Sequence, residues 1–560
     1  MQNRDLELRT TLDYFYHWEA VRPDAPFLRQ PSGDTWKTIT WAAAGREARQ
    51  MVAALRSMGL EQGAHVGIVS KNCYHWIIAD LAIMMGGYVS VPFFPTLTAP
   101  QLKEVIELGD IAALFVGKLD NWESMKTEVP KTLKIIAFPH YEGNSKVEEG
   151  EAWSDLIARH EPAENTHQPK LEELWTILFT SGTTGTPKGV MLEYGAPARV
   201  MHMERTHNVV GLFLSENQRY FSYLPLNHIA ERLIVELACI LSGGTISFSE
   251  SLDTFVKNLQ QTRPTVFLGV PRIWTKFQLA ILERMPQKRL SLLLSIPILS
   301  TLVKNKIRKG LGLDQASMLF TGAAPAPDSL KQWYQRLGMT VREVYGMTEN
   351  CAGCNLMPPN TVRAGSVGKI LPEVEIQTDA DTGEIIMRAP WMMRGYYKDA
   401  AKTQEVLRDG WLHTGDQGEL DAEGYLRITG RVSDTFKSAK GKFIVPAPIE
   451  WGFAQNSYIE QICIVGLSLP QPVALAVLSD IGKTAAQDTV MQSLQKTLEE
   501  VNRTLAGFER LAKIIVVREA WNVENGILTP TLKIKRNVVN QRYAPYLQQW
   551  YERGEAVVWE

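Results

Sequence analysis

Short apolar strands alternate with helical segments between Thr40 and Phe138, and this alternation restricts the possible folds more than any other feature. Thr40 precedes apolar residues at helical spacing, so the sequence predicts a capped helix that ends at Gly59. A second helix is predicted at Trp76–Met85, and strands at His65–Ser70, Tyr88–Pro92, Ala112–Val116 and Lys134–Phe138. This order predicts parallel sheets covered by helices on both faces, with ligands at the carboxyl ends of the strands.

The pattern changes near residue 365. Short β segments and Gly/Pro turns fill Gly365–Tyr397 and Gly424–Ile428, and a segment of about domain size follows Arg431. A chain of 560 residues exceeds one ordinary domain. We therefore predict an α/β protein with a large N-terminal domain of stacked α/β sheets and a β-rich subdomain, residues 1–431. A small α+β C-terminal domain, residues 432–560, completes the prediction.

Charge and cysteine content limit the functional classes. The chain has 59 Lys and Arg against 61 Asp and Glu, and this balance argues against a dedicated nucleic-acid binder. Its beginning shows no signal-peptide pattern, and five cysteines form a low, odd count. Cys351 and Cys354 have no second pair that would complete a zinc site. We expect a cytoplasmic protein.

The most apolar run is Leu290–Val303, which is too short for a membrane span and is interrupted by Pro297. One interpretation is a buried helix with solvated ends. The other is a peripheral contact of residues 289–309 with the inner membrane surface, because both flanks are basic. The flanking cations are Lys288, Arg289, Lys304, Lys306, Arg308 and Lys309.

A glycine- and hydroxyl-rich segment, Thr180–Gly189, follows a β-like run at Thr176–Phe179. Its glycines let backbone N–H groups surround an anion, while its hydroxyls and Lys188 add donors and charge. The spacing is not that of a Walker A loop, since Pro187 precedes the lysine and Gly189 follows it. A plain surface loop seldom combines these residues, so the segment predicts a polyphosphate site.

This segment resembles the phosphate loop of the adenylate-forming superfamily, which includes acyl-CoA synthetases, luciferases and peptide-synthetase adenylation domains. Further motifs follow in the family's order and extend the resemblance over roughly residues 25–545. The version of these motifs is most similar to that of AMP-forming long-chain fatty acyl-CoA synthetases. The resemblance implies the adenylate-forming fold, in which the C-terminal domain is mobile.

The resemblance also assigns residues to nucleotide and metal. Its implied ATP and AMP ligands are Thr180, Ser181, Gly182, Thr183, Thr184, Gly185, Lys188, Gly322, Ala323, Ala324, Glu343, Tyr345, Gly346, Thr348, Asp416 and Arg431. Tyr345 would offer an aromatic face to adenine, and Asp416 would accept both ribose hydroxyls. Mg²⁺ would be held by Glu349 and Thr183.

Catalytic roles come from the same resemblance. His228, in the segment Tyr223–Arg232, would lie near the reacting carboxylate, and Lys533 would enter the site during adenylation, with Lys535 as its rival. Ser433 stands at the expected hinge, where relatives often carry Asp or Lys. The catalytic Lys437 begins a loop that would face CoA in the second step, together with Lys440, Gly441 and Lys442.

The expected activity is that of an AMP-forming fatty acid:CoA ligase that uses Mg-ATP and CoA. A medium- or long-chain fatty acid would react with ATP to give acyl-adenylate and pyrophosphate, and CoA would then take the acyl group and release AMP. One alternative is a ligase that acts on another carboxylic acid or hands the acyl group to another acceptor. A second is a non-enzymatic nucleotide-binding protein, which retention of Lys188, Glu349, Asp416 and Lys533 disfavours. The sequence leaves the oligomeric state open.

Overall fold

The computed structural model describes residues 7–181, 187–214, 217–439, 441–467, 469–529 and 533–560. Its helices are α1 Thr11–Val21, α2 Trp41–Ser57, α3 Tyr74–Gly86, α4 Ala99–Leu108, α5 Trp122–Met125, α6 Trp153–Arg159, α7 Gly195–His207, α8 Ile229–Glu231, α9 Ala238–Ser242, α10 Phe255–Thr262, α11 Pro271–Arg284, α12 Gln287–Leu294, α13 Pro297–Gly310, α14 Asp328–Arg336, α15 Ala400–Val406, α16 Pro446–Trp451, α17 Asp480–Thr484, α18 Gln487–Thr504 and α19 Arg536–Glu552. Short 3-10 turns occupy Lys126–Glu128, Leu212–Leu214, Thr348–Asn350 and Val432–Asp434, and Arg232–Leu237 forms a π-helical turn.

The strands are β1 Pro26–Ser32, β2 Thr35–Thr40, β3 His65–Val69, β4 Val89–Phe93, β5 Ile111–Val116, β6 Lys134–Ala137, β7 Glu151–Ala152, β8 Leu174–Ser181, β9 Pro187–Glu193, β10 Arg219–Ser222, β11 Thr245–Phe248, β12 Val266–Leu268, β13 Met318–Thr321, β14 Val341–Tyr345, β15 Asn355–Leu356, β16 Gly368–Ile370, β17 Glu375–Thr378, β18 Glu384–Arg388, β19 Gly395–Tyr396, β20 Leu407–Arg408, β21 Trp411–Leu420, β22 Tyr425–Arg431, β23 Phe436–Lys437, β24 Phe443–Ile444, β25 Ile459–Val465, β26 Val473–Leu478, β27 Ile514–Val516 and β28 Val557–Trp559. The strands and helices predicted between Thr40 and Phe138 are confirmed, with ends that differ by a residue or two.

The chain forms two compact units. The first consists of residues 1–180, 186–375 and 388–410, and the second of residues 181–185, 376–387 and 411–560. The predicted division into domains 1–431 and 432–560 stays a prediction.

The first unit contains a sheet in the order β19-β9-β8-β4-β3-β5-β6-β7. Its central pairs, from β4 through β3 and β5 to β6, are parallel, and β19 joins β9 in antiparallel orientation. These strands are almost wholly buried, as expected when helices cover both faces. The carboxyl end of β8 leads into the segment predicted to bind phosphate.

A second sheet of the same unit runs in the order β16-β15-β14-β13-β12-β10-β11-β1-β2. The strands from β14 to β1 pair in parallel, and antiparallel strands extend the sheet at each end. Helix α3 contacts β1 of this sheet and both β3 and β4 of the first. Its residues from Tyr74 to Met85 are all buried, so two stacked sheets enclose this helix.

The second unit combines β-rich and α+β parts. Strands β17, β18, β21 and β22 are neighbours in that order, with β18, β21 and β22 paired in antiparallel orientation, and β23 pairs with β24 in a short hairpin. Strands β25-β26-β27-β28 form a further sheet whose two faces are covered by α18 and α19. The short β segments predicted after residue 365 are thereby confirmed.

The apolar run at Leu290–Val303 lies on the surface rather than in the core. Helices α12 and α13 meet at Pro297, and within the run only Leu290 and Ser300 are buried. Leu292 is 64% exposed, Ile298 78% and Leu302 61%, so the buried-helix interpretation is wrong. Within the part of the chain that the structure describes, no helix has the length and apolar content needed to span a membrane. All five cysteines lie among the described residues and are buried, and none of them forms a disulfide.

Candidate active site

The predicted phosphate segment connects the neighbouring strands β8 and β9. At its base, the Thr180 hydroxyl donates to the Lys188 carbonyl oxygen over 3.4 Å. Gly182, Thr183, Thr184 and Gly185 lie outside the described residues, as does the side chain of Ser181. The strand ends therefore place Thr180 and Lys188 at the carboxyl edge of a parallel sheet, where the alternation predicted a ligand.

Lys188 and Glu349 are brought together by a tyrosine. The Tyr396 hydroxyl donates to Glu349 Oε1 at 2.8 Å, and the Lys188 ammonium lies 5.7 Å from the Tyr396 ring centroid. Burial and Lys402 lower the pKa of Lys188, and Glu349 partly opposes this. Burial and the Glu349 carboxylate raise the pKa of Tyr396, so its hydroxyl stays a donor. The cluster combines a cation with an oriented carboxylate, as an ATP–Mg²⁺ site requires.

The turn after β14 sets the backbone around Glu349. Thr348 begins a 3-10 turn and is buried, and the Glu349 carbonyl oxygen accepts from the Met393 N–H at 2.8 Å. Tyr345 ends β14 and is half-buried. A Cβ on Gly346 would come within 2.4 Å of the Ala352 carbonyl oxygen, so only glycine fits without a backbone shift.

The loop after β13 carries three of the residues that the resemblance assigns to ATP and AMP. Gly322 is buried against Val344 of the neighbouring strand, whereas Ala323 and Ala324 are exposed. Ala323 has φ of 64°, a left-handed conformation that few non-glycine residues adopt. Strain of this kind is frequent where a loop is shaped for a ligand.

Glu343 is buried and is used inside the protein. Its carboxylate accepts from the Lys331 ammonium and, at 3.1 Å, from the Ala326 N–H. The Lys331 ammonium also pairs with Asp328 at 3.0 Å. Burial raises the pKa of Glu343, and Lys331 opposes that rise. In this structure the carboxylate shapes the loop after β13, and its predicted contact with nucleotide stays a prediction.

His228 lies at the N-terminus of α8 and is half-buried. Its Nδ1 accepts from the Ala230 N–H at 3.2 Å, so in neutral imidazole the proton is assigned to Nε2. A neutral His228 with a donor on Nε2 can orient a carboxylate without competing as a nucleophile.

In the second unit, Asp416 and Arg431 stand opposite each other on β21 and β22. Arg431 Nε donates to Asp416 Oδ1 at 2.8 Å. The Asp416 N–H donates to the Thr414 hydroxyl at 3.1 Å, and Asp416 is buried whereas Arg431 is half-buried. The two side chains therefore form a charge-assisted pair across neighbouring strands.

The predicted hinge and CoA loop follow directly. Ser433 is exposed within a 3-10 turn, and its hydroxyl donates to Asp434 Oδ1 at 3.4 Å. The Lys437 ammonium lies 4.7 Å from the Phe443 ring across the β23–β24 hairpin. Gly441, with φ of 71°, helps close this hairpin, and Lys442 is exposed. Lys440 lies outside the described residues.

Lys533 is exposed and directly precedes Ile534, which forms an antiparallel bridge with Leu528. Its backbone N–H donates to the Thr529 hydroxyl at 3.0 Å. Lys535 is half-buried, and its N–H donates to the Ile527 carbonyl oxygen at 2.8 Å. Lys533 is therefore the more exposed of the two lysines, and its predicted role in adenylation stays a prediction.

Sequence reasoning missed Tyr396, which links Lys188 to Glu349. The only signal was a tyrosine pair, Tyr396 and Tyr397, in a turn-rich stretch. The β19–β9 pairing brings this stretch beside Val190 and Met191, and that pairing is not visible in either local sequence.

No group of three or more His, Cys, Asp and Glu side chains that could bind a metal ion occurs among the described residues. A Mg²⁺ that arrives with ATP needs only one or two carboxylates besides the phosphates and water. Glu349, held by Tyr396, fits that requirement.

Comparison with protein families identifies the class. The chain matches the AMP-binding enzyme family over residues 15–397, and the AMP-binding enzyme C-terminal domain over residues 433–555. It therefore belongs to the family of AMP-binding enzymes, which confirms the predicted adenylate-forming membership.

Individual relatives narrow the comparison. The chain is 30% identical to the peroxisomal long chain acyl-CoA synthetase 6 of Arabidopsis thaliana, over 96% of this chain and 84% of that protein. It is 29% identical to long-chain-fatty-acid--CoA ligase 5 of Rattus norvegicus, over 99% of this chain and 91% of that protein. For long-chain-fatty-acid--CoA ligase FadD15 of Mycobacterium bovis the identity is 27%, over 96% of both chains.

Solved structures confirm the predicted fold. The adenylation domain of a carboxylate reductase from Mycobacterium chelonae superposes with a TM-score of 0.80 at 21% identity, over 97% of this chain and 91% of that one. An o-succinylbenzoate CoA synthetase from Bacillus subtilis, in complex with ATP and magnesium, superposes with a TM-score of 0.70 at 21% identity, over 94% and 98%.

Proposed function

We propose that this chain is an AMP-forming fatty acid:CoA ligase that uses Mg-ATP and CoA. The observation that carries the proposal is the contact of Tyr396 with both Lys188 and Glu349, since this contact joins a phosphate-binding cation to a magnesium-binding carboxylate. The names of the long-chain relatives support the fatty acid as substrate.

Adenylation requires two anions to meet. A carboxylate oxygen attacks the α-phosphorus of ATP, the bond to the β-phosphate oxygen breaks, and pyrophosphate leaves. Lys188 screens the phosphates, Glu349 holds the magnesium that accompanies them, and Lys533 neutralises charge as the bond forms. His228 orients the carboxylate, and Asp416 with Arg431 holds the ribose. The thirteen remaining predicted nucleotide ligands keep the roles that the resemblance assigns them.

Thioester formation follows on the same acyl-adenylate. The CoA sulfur attacks the acyl carbon, the bond to the AMP oxygen breaks, and the thiol proton passes to solvent. Lys437 and Gly441 belong to the loop proposed to act in this step, with Lys440 and Lys442 as partners for CoA phosphates. The segment from residue 432 would rotate at Ser433 between the steps. The C-terminal family match begins at residue 433, which supports this boundary.

The decisive experiment is pyrophosphate exchange into ATP with fatty acids of increasing chain length and with an aromatic acid as comparison. We expect exchange that depends on a medium- or long-chain acid, and AMP release that depends on CoA. Exchange with the aromatic acid alone would show that the substrate is an aromatic acid rather than a fatty acid. Exchange without CoA-dependent AMP release would point to another acceptor.

We also propose peripheral membrane binding through α12 and α13. Ser300, Val303 and Ile307 of α13 face the core, while Ile298 and Leu302 project on the opposite side and are exposed. Between residues 284 and 313 the charged residues are all basic: Arg284, Lys288, Arg289, Lys304, Lys306, Arg308 and Lys309. Exposed aliphatic side chains beside cations fit an anionic lipid surface.

Vesicle sedimentation tests this second proposal. The wild type should bind phosphatidylglycerol vesicles more tightly than phosphatidylcholine vesicles, and a variant with Leu292→Ser, Ile298→Ser and Leu302→Ser should lose most of that binding. Leu252→Ser is the matched control, because Leu252 is 91% exposed elsewhere on the same unit. Equal binding by the triple variant and the control would exclude this surface.

A further inference from the structure

The loop that leads into His228 is held by a side chain from the other sheet. Asn72 follows β3 of the first sheet, while Leu224 and Leu226 follow β10 of the second. Asn72 Nδ2 donates to the Leu224 carbonyl oxygen at 2.6 Å, and Asn72 Oδ1 accepts from the Leu226 N–H at 3.3 Å. Only an amide of this orientation satisfies both contacts, because one partner is an acceptor and the other a donor.

Buried groups surround this contact. Asn72 Nδ2 also donates to the Ser222 hydroxyl at 2.7 Å, and that hydroxyl donates to Glu231 Oε1 at 2.9 Å. The same Glu231 oxygen accepts from the Tyr223 N–H at 3.1 Å. Asn72, Ser222 and Glu231 are each less than 7% exposed. Glu231 is the last residue of α8, the turn that begins directly after His228. Its bonds to Ser222 and Tyr223 therefore join the start of the loop before His228 to the turn after it.

A buried lysine holds Asn72 in turn. The Lys118 ammonium donates to the Asn72 carbonyl oxygen at 3.1 Å and to the Ser249 carbonyl oxygen at 2.8 Å. Burial lowers the pKa of Lys118 to about 8. Asn72 therefore has little freedom to move relative to the loop, because its backbone and its side chain are both bonded.

We infer that Asn72 is a positioning residue for adenylation, which acts by fixing the Leu224–Asn227 loop and thereby the imidazole of His228. This inference rests on the proposed function, in which His228 orients the fatty acid carboxylate. A donor placed even slightly away from its productive position loses much of its effect. The Asn72 amide and the two backbone groups of Leu224 and Leu226 that it bonds, here called the clamp, would prevent such displacement. ATP binding involves other residues and should not depend on Asn72.

The test is a double-mutant cycle with Asn72→Asp and His228→Ala, measured by fatty-acid-dependent pyrophosphate exchange. Aspartate keeps the shape but loses the donor to Leu224. We expect kcat/KM for the fatty acid to fall by about tenfold to a hundredfold, with KM for ATP within about twofold of wild type. In the His228→Ala background, the same substitution should cost less than about twofold.

Additive losses in the cycle, or a parallel rise in KM for ATP, would overturn the inference, because they are signs of a general structural defect. Asn258→Asp is the matched control: Asn258 is fully buried in the same unit, and its Oδ1 accepts from the Glu250 N–H at 3.0 Å. It should leave the fatty acid dependence unchanged. If Asn72→Asp does not fold, Ser222→Ala removes a hydrogen bond that supports the clamp and should show a smaller loss that also disappears without His228.

Failure of the proposed function is a separate outcome of the same measurements. If the wild type shows no exchange with any fatty acid, the substrate assignment is wrong. If the wild type shows exchange and the cycle is additive, the ligase function is supported and the positioning role of Asn72 is contradicted.

Discussion

Arg431 Nε lies 2.8 Å from Asp416 Oδ1, and the two residues occupy directly opposed positions of the antiparallel strands β21 and β22. The carboxylate predicted to accept the ribose hydroxyls is therefore oriented by the second residue predicted to bind the nucleotide. Asp416 is buried, so its loss of hydration is offset by a charge-assisted hydrogen bond. Preorganisation of this kind lowers the entropic cost of binding the ribose.

Substitution of Asp416 should weaken ATP binding. Asp416→Asn removes the charge and one acceptor, and we expect KM for ATP in pyrophosphate exchange to rise by about tenfold or more. KM for the fatty acid should change little. Glu419→Gln is the control, since Glu419 is exposed on the same strand. A similar rise in KM for ATP in both variants would argue against Asp416 as a ribose ligand.

The Tyr396 hydroxyl should matter for magnesium. Tyr396→Phe leaves Glu349 without the donor at 2.8 Å, and we expect the magnesium concentration for half-maximal exchange to shift by about fivefold. The neighbouring Tyr397→Phe provides a matched control, because the Tyr397 hydroxyl donates to Asp110 at 2.7 Å. An unchanged magnesium dependence in Tyr396→Phe would argue against the Glu349 assignment.

The two catalytic lysines should separate the half-reactions. Lys533→Ala should slow acyl-adenylate formation by about a hundredfold or more, since it removes charge stabilisation at the reacting phosphorus. It should leave transfer from preformed acyl-adenylate to CoA nearly intact, and Lys437→Ala should do the reverse. Single-turnover assays measure each step. Lys535→Ala is the control for Lys533, and normal adenylation by Lys533→Ala would contradict the assignment.

Gly346 should not tolerate a side chain. In Gly346→Ala the new Cβ meets the Ala352 carbonyl oxygen at 2.4 Å, so the turn that carries Glu349 must shift. We expect a loss of unfolding free energy of about 1–3 kcal/mol and a higher KM for ATP. Gly507→Ala introduces the same atom into open space and should change neither quantity. Denaturant unfolding and exchange kinetics measure the two effects.

Glu231 should make stability depend on pH. Burial raises its pKa from 4.5 to about 8, so the folded state holds the proton more tightly than the unfolded state. Its contribution to stability is present in full below pH 4.5 and is lost as the pH rises through about 8. Relative to wild type, Glu231→Gln should therefore gain stability between pH 5 and pH 9, as followed by thermal unfolding. If the difference in stability between Glu231→Gln and the wild type stays constant over this pH range, a protonated Glu231 is contradicted.

Local patterns and whole-chain motifs were enough to predict much of this protein. The helix capped by Thr40, the strands at His65 and Val89, and the parallel sheets follow from short-range apolar spacing and steric preferences, which act within a few residues. The motifs from Thr180 to Lys533 predicted the family, because an ATP site needs glycines, hydroxyls and charged groups at fixed positions along the chain. The apolar run at Leu290–Val303 was left with two interpretations, since helical spacing does not say which face finds a partner.

Only the tertiary structure decided the remaining points. It exposed Ile298 and Leu302, placed Tyr396 between Lys188 and Glu349, and bonded Asn72 to the loop before His228. Asn72 and Leu224 are 152 residues apart in the chain, and Tyr396 and Glu349 are 47 apart. Contacts at such separations depend on how sheets and loops pack, so each side chain alone fits many environments. The sequence by itself therefore determined the family and the chemistry of its motifs, and the packing of two sheets decided which buried polar groups hold those motifs in place.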